Sequence, residues 1–82
     1  MTPAEQATFT RWDTEVRRVI TFTTSQTRGS EQYEAGMLEV SKLCDEVRPG
    51  VFPPNVFRYM RRIVLRDLFH FMINGVIPQR GG

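Results

Sequence analysis

The most informative part of the sequence is residues 55–74, which read NVFRYMRRIVLRDLFHFMIN. Apolar side chains recur there at intervals of three and four, and this spacing predicts an α-helix with a core-facing stripe. Gly75 stands where a left-handed residue often ends a helix, and Pro78 prevents continuation. The predicted stripe consists of Phe57, Met60, Val64, Leu68 and Phe71.

A second row of side chains occupies another side of this predicted helix. A helix that is apolar on nearly every side must be covered on nearly every side, and two short companion helices offer little surface for that. We therefore expect a partner to cover the outer side of this helix. The row combines apolar anchors with basic residues one and two turns earlier: Arg58, Arg62, Leu65, Arg66, Phe69 and Ile73.

An alternative covering of that row comes from the chain itself. Phe22, Leu38 and the loop at Val51 and Phe52 are apolar residues that could fold over the outer side and make this an ordinary central helix. Periodicity alone does not identify the neighbour that covers a stripe, so both arrangements stay open.

Two further helices precede this one. Thr2, Pro3 and Glu5 form the pattern of a capping box with proline in the first turn, and they predict a helix over 3–23. Ser30 is a suitable N-cap for a helix over 31–47. With a third helix over 55–74 and a flexible tail over 76–82, the chain is predicted to be one all-α, three-helix domain spanning 1–82. A helical homodimer is the simplest assembly for it.

Composition points to an ordinary globular protein, because 40% of the 82 residues are hydrophobic and 24% are charged. The single cysteine, Cys44, excludes an internal disulfide and fits a reducing compartment. No signal peptide and no apolar run near the roughly 20 residues of a membrane span is visible. The expected location is the cytoplasm, or the host cytoplasm for a viral or phage protein.

Catalytic chemistry is not expected. Asp67 and His70 lie one helical turn apart, but no nucleophile is linked to them by sequence. There is no metal-ligand motif and no glycine-rich phosphate loop. We therefore expect no catalytic residues, no metal, no cofactor and no small-molecule substrate.

Charge is distributed unevenly along the chain, although the net charge is only +2. The second helix carries five carboxylates against Lys42, and the third carries four arginines against Asp67. The arginines Arg58, Arg61, Arg62 and Arg66 also support an alternative function, nucleic-acid binding. The favoured expectation is a non-enzymatic protein-interaction module such as an inhibitor, adaptor or assembly factor, a role common among small accessory proteins of viruses and bacteriophages.

Overall fold

A computed structural model describes residues 2–77. The first two helices are α1, Pro3–Thr24, and α2, Glu31–Asp45. The third helix covers 54–74 in three parts: α3, Pro54–Tyr59, a π-helical turn, Met60–Val64, and α4, Leu65–Asn74. The prediction of a small all-α fold with three helices is confirmed.

The second helix ends two residues earlier than the predicted boundary at 47. Glu46 is its C-cap, and the backbone N–H of Val47 donates to the carbonyl of Cys44 in a turn. Pro49 disfavours a helical conformation at Arg48, which explains the early stop. Val47 is still buried. Residues 78–82, part of the predicted flexible tail, lie outside the described residues.

Local sequence accounts for the start of α1. The backbone N–H of Glu5 donates to Thr2 Oγ1 at 3.2 Å, and the backbone N–H of Thr2 donates to Glu5 Oε1 at 2.9 Å. These are the two reciprocal bonds of a capping box, and they satisfy N–H groups that a helix start leaves unpaired. The bond from the Thr2 backbone also lowers the pKa of the Glu5 carboxyl.

The core lies between the three helices and draws on the connection that precedes the third. Trp12 donates its indole N–H to the carbonyl of Leu43 at 2.9 Å and meets Phe52 edge to face, with ring centroids 6.4 Å apart. The N–H of a buried indole needs such an acceptor. Trp12 therefore joins α1, α2 and the Phe52 connection. The most deeply buried apolar side chains include Val16, Val19, Val40, Met60, Leu68 and Phe71.

Helix α2 occupies the middle of the arrangement. Its backbone lies close to α1 on one side and to α4 on the other. Within residues 2–77, no Cα atom of α1 comes within 8 Å of one in the third helix. One flank of the third helix therefore packs on α2, and the flank facing α1 borders a cleft.

The contact between α1 and α2 depends on a glycine. A Cβ atom at Gly36 would lie 1.9 Å from Thr23 Oγ1, far inside the contact distance of two heavy atoms. Thr23 is completely buried. The absence of a side chain at Gly36 thus allows α1 and α2 to approach closely.

The π-helical turn sets the register of the third helix. The backbone N–H of Leu65 donates to the carbonyl of Met60, five residues earlier. In a regular α-helix, residues twelve apart, such as Val56 and Leu68, differ in direction by about 120°. The extra residue of a π-turn removes about 100° of that difference. Val56 therefore shares the core side with Leu68, whereas Phe57, predicted for the core stripe, is only partly buried.

Candidate interaction surface

The candidate site is the side of the third helix that points away from the core. It contains two large apolar side chains, Phe69, which is 49% exposed, and Ile73, which is 75% exposed. We call the outer face the five exposed residues Arg58, Arg62, Arg66, Phe69 and Ile73.

Helical geometry explains why these residues share a side. In α4, Leu68 and Phe71 face the core, and Ile73 lies about 140° from Leu68 around the helix axis. Arg66 is seven residues before Ile73, which places it within about 20° of the same direction. Arg62 and Arg58 precede Arg66 by four and eight residues. Because the π-turn takes up one extra residue, these intervals correspond to about one and two full turns, and both arginines stay on the same side.

Leu65 departs from the sequence-based expectation. It was predicted to be an anchor of the outer side together with Phe69 and Ile73, but it is partly buried and packs against the core. Within α4 it lies about 60° from Leu68 and about 20° from Met72 around the helix axis, and both Leu65 and Met72 pack against the core. Leu65 therefore lies at the edge of the outer face and is not counted among its residues.

The arginines of the third helix have no carboxylate partner in the described part of the chain. Within residues 2–77, no acidic oxygen lies within the 4.0 Å ion-pair distance of Arg58, Arg61, Arg62 or Arg66. The ion pairs that do form there stay within single helices. They join Arg17 to Asp13, Arg18 to Glu15, and Lys42 to Glu39. The charge separation predicted between α2 and the third helix is thus not neutralised by pairing between them.

The apolar residues of this chain that could have folded over the outer face do not cover it. Phe22, Leu38 and Val51 are themselves 46%, 57% and 45% exposed. Phe52 is buried, but it packs against Trp12 on the core side. Among residues 2–77, the outer face therefore remains open to solvent.

The exposed side of α2 is the electrostatic counterpart of the outer face. Leu38 lies at its centre, with Glu34 one turn before it and Glu31 two turns before it. Asp45 lies two turns after it. We call the acidic face the four exposed residues Glu31, Glu34, Leu38 and Asp45.

Clefts flank the third helix, and sequence periodicity gave no sign of them. A cleft of about 620 Å³ separates it from α1, with Val16 and Leu68 at its base and Tyr59 and Ile77 among its exposed lining residues. A second cleft, of about 800 Å³, lies beside the connection 49–54 and is bordered by Arg58 and Arg61. Both depend on how distant segments pack, which a pattern within one helix does not report.

His70 and Cys44 have structural positions in the fold. His70 Nδ1 donates to the carbonyl of Val76 at 3.0 Å, beyond Gly75, which has a φ of 78°. This contact fixes the turn that follows α4. Burial raises the pKa of the Cys44 thiol to about 11, which keeps it protonated and unreactive at neutral pH.

Residues 2–77 contain no group of three or more potential metal ligands. In the same range, no helix combines the length and the apolar character needed to cross a membrane. Comparisons with family models, with curated proteins and with solved structures give no match.

Proposed function

We propose that this protein is a non-enzymatic interaction module that binds a protein partner through the outer face of the third helix. The observation that carries the proposal is the exposure of Phe69 and Ile73 beside three arginines that lack carboxylate partners in residues 2–77. Exposed apolar anchors next to arginine are the residue types enriched in binding hot spots.

Binding at the outer face removes the exposed parts of Phe69 and Ile73 from water. Full burial of one large apolar side chain contributes about 1.5–3 kcal/mol, and because Phe69 is already half-buried, covering both anchors contributes about 2–4 kcal/mol. The arginines add orientation, because a guanidinium binds a carboxylate in a fixed planar geometry. An inhibitor, adaptor or assembly factor would use a face of this kind. The reduced state of Cys44 suits the cytoplasm as the place of action.

Site-specific photo-crosslinking tests the proposal. A photoreactive amino acid at position 73 is expected to form an adduct with a protein in the native cells, whereas the same group at exposed Thr14 on α1 is expected to form none. Adding Phe69→Glu to the protein with the photoreactive group at position 73 should abolish the adduct. Burial of an unpaired charge in the centre of an apolar contact is strongly unfavourable. Equal crosslinking at positions 73 and 14 would contradict the proposal.

A second candidate function is nucleic-acid binding, and one observation favours it. Arg58, Arg61, Arg62 and Arg66 are exposed on one helix and free of carboxylate partners in residues 2–77, which is sufficient to neutralise phosphates. Fluorescence anisotropy with labelled DNA and RNA distinguishes the two functions. For nucleic acid, Arg58→Glu with Arg62→Glu weakens binding more than Phe69→Glu does, and affinity falls by orders of magnitude between about 50 and 200 mM salt.

A further inference from the structure

The outer face and the acidic face are complementary in both charge and apolar content. The outer face has arginines followed by Phe69 and Ile73, and the acidic face has glutamates followed by Leu38, which is 57% exposed. Within residues 2–77, no basic side chain lies within ion-pair distance of Glu31, Glu34 or Asp45. Each face therefore presents free charges of the sign that the other lacks.

The spacing of the two faces also agrees. Glu31 precedes Leu38 by seven residues, and Arg62 precedes Phe69 by seven, so both pairs are separated by about 10 Å along their helices. Glu34 lies four residues before Leu38, and Arg66 lies three before Phe69. With the helices parallel and Leu38 placed on Phe69, each glutamate comes opposite an arginine. The antiparallel alignment keeps one favourable pair, Asp45 opposite Arg62, and places Lys42 opposite Arg66, which is repulsive, so the parallel alignment has the better charge match.

We propose that the partner of the outer face is the acidic face of a second copy of this chain, with the two helices parallel. In this contact Leu38 packs on Phe69, Glu31 pairs with Arg62, and Glu34 pairs with Arg66. The inference rests on the proposed function and names the partner for the same face.

The contact must form between chains because α2 and the third helix already pack through their inner sides. Val40 and Phe71 are completely buried in the shared core, so the acidic and outer faces of one molecule point away from each other. The two faces are different surfaces, which makes the contact heterologous. Each added copy leaves one face of each kind free, so assembly continues until a ring closes or a filament forms.

Charge reversal tests the pairing without an unidentified ligand. One variant carries Arg62→Glu and Arg66→Glu, and the other carries Glu31→Arg and Glu34→Arg. Light scattering should show that the wild-type protein associates with increasing concentration and that each variant alone is monomeric, because its two faces then repel. An equimolar mixture of the variants should associate again, since the altered faces of the two variants attract each other.

A matched control carries Arg11→Glu and Arg48→Glu, which change the net charge by the same amount as Arg62→Glu with Arg66→Glu but at exposed positions outside both faces. It should associate like the wild type, and circular dichroism should show that all variants are folded. A monomeric wild type at millimolar concentration, or a mixture that stays monomeric, overturns the proposed pairing. In that case, crosslinking of position 73 to a different protein would still support the proposed function. The absence of both self-association and a crosslinked protein would contradict the proposed function as well.

Discussion

Gly36 and Thr23 are the residues that set the distance between α1 and α2. Replacing Gly36 with alanine places a methyl group where Thr23 Oγ1 now lies, so the helices must separate. We expect Gly36→Ala to lower the free energy of unfolding by about 1–3 kcal/mol, the range for overpacked cores. Urea denaturation measures this, with exposed Gln32→Ala on the same helix as the control.

A double-mutant cycle isolates the cause. Thr23→Ala removes the hydroxyl, which has no hydrogen-bond partner among residues 2–77, together with the methyl group beside it. The combined variant Gly36→Ala, Thr23→Ala should therefore be more stable than the sum of the two single effects predicts. Strict additivity would show that the steric conflict is not the reason for the glycine.

The thiol of Cys44 should make the protein less stable in alkali. Burial raises the pKa of Cys44 in the folded protein from 9.0 to about 11. Above pH 9 the unfolded chain loses this proton and the folded protein keeps it, so the stabilising contribution is complete below pH 9 and is lost as the pH rises through about 11. Between pH 9.0 and about pH 11, the urea midpoint should fall less steeply with pH for Cys44→Ala than for the wild type. Equal slopes for the two proteins would contradict this expectation.

At the scale of the element, the third helix shows what its apolar pattern leaves undecided. The predicted stripe correctly included Met60, Leu68 and Phe71, which are all buried. It contained Phe57, which is partly buried, in place of buried Val56, because regular α-helical spacing does not allow for the π-turn. A π-turn inserts one residue without any distinctive local sequence, so the stripe before it shifts by one position.

Deleting one residue from the π-turn tests its role in the register. Removal of exposed Arg61 should give a continuous α-helix in which Val56 and Leu68, then eleven residues apart, still differ in direction by only about 20°. Buried Val56 and Met60 would keep their core contacts, so the deletion should cost little stability.

Thermal unfolding monitored by circular dichroism should show retained helix content and a midpoint close to that of the wild type. Insertion of one alanine after Arg61 is the contrasting variant: it turns Val56 and Met60 about 100° away from Leu68 and should lower the midpoint. A clearly lower midpoint after the deletion, or an unchanged one after the insertion, would contradict this role of the π-turn.

For the whole molecule, the sequence was most informative where the causes are local. The capping box at Thr2 and Glu5, the N-cap Ser30 and the glycine at 75 were all identified from short patterns and are present in the structure. The burial of Leu65 and the covering of the outer face depend on which elements meet, and intervals along one helix do not contain that information.

Core and outer face should respond differently to truncation. Phe71→Ala removes a completely buried side chain and should cost about 3–5 kcal/mol of stability. Ile73→Ala, two residues further along, should change stability by no more than about 0.5 kcal/mol, because this side chain is 75% exposed. Denaturation of the two variants measures the contrast, at concentrations low enough to keep both monomeric. A large loss of stability for Ile73→Ala would place it in a folded contact.

The position of Trp12 gives the protein an intrinsic optical probe. It is the sole tryptophan of the chain, and its indole is buried beside Phe52 with its N–H bonded to Leu43. Emission in the folded state should be shifted to the blue, and separation of α1 from α2 should move it to the red as water reaches the ring. Since the indole is buried and belongs to neither charged face, its fluorescence will follow folding while light scattering follows assembly, and the two equilibria can be recorded on the same unlabelled sample.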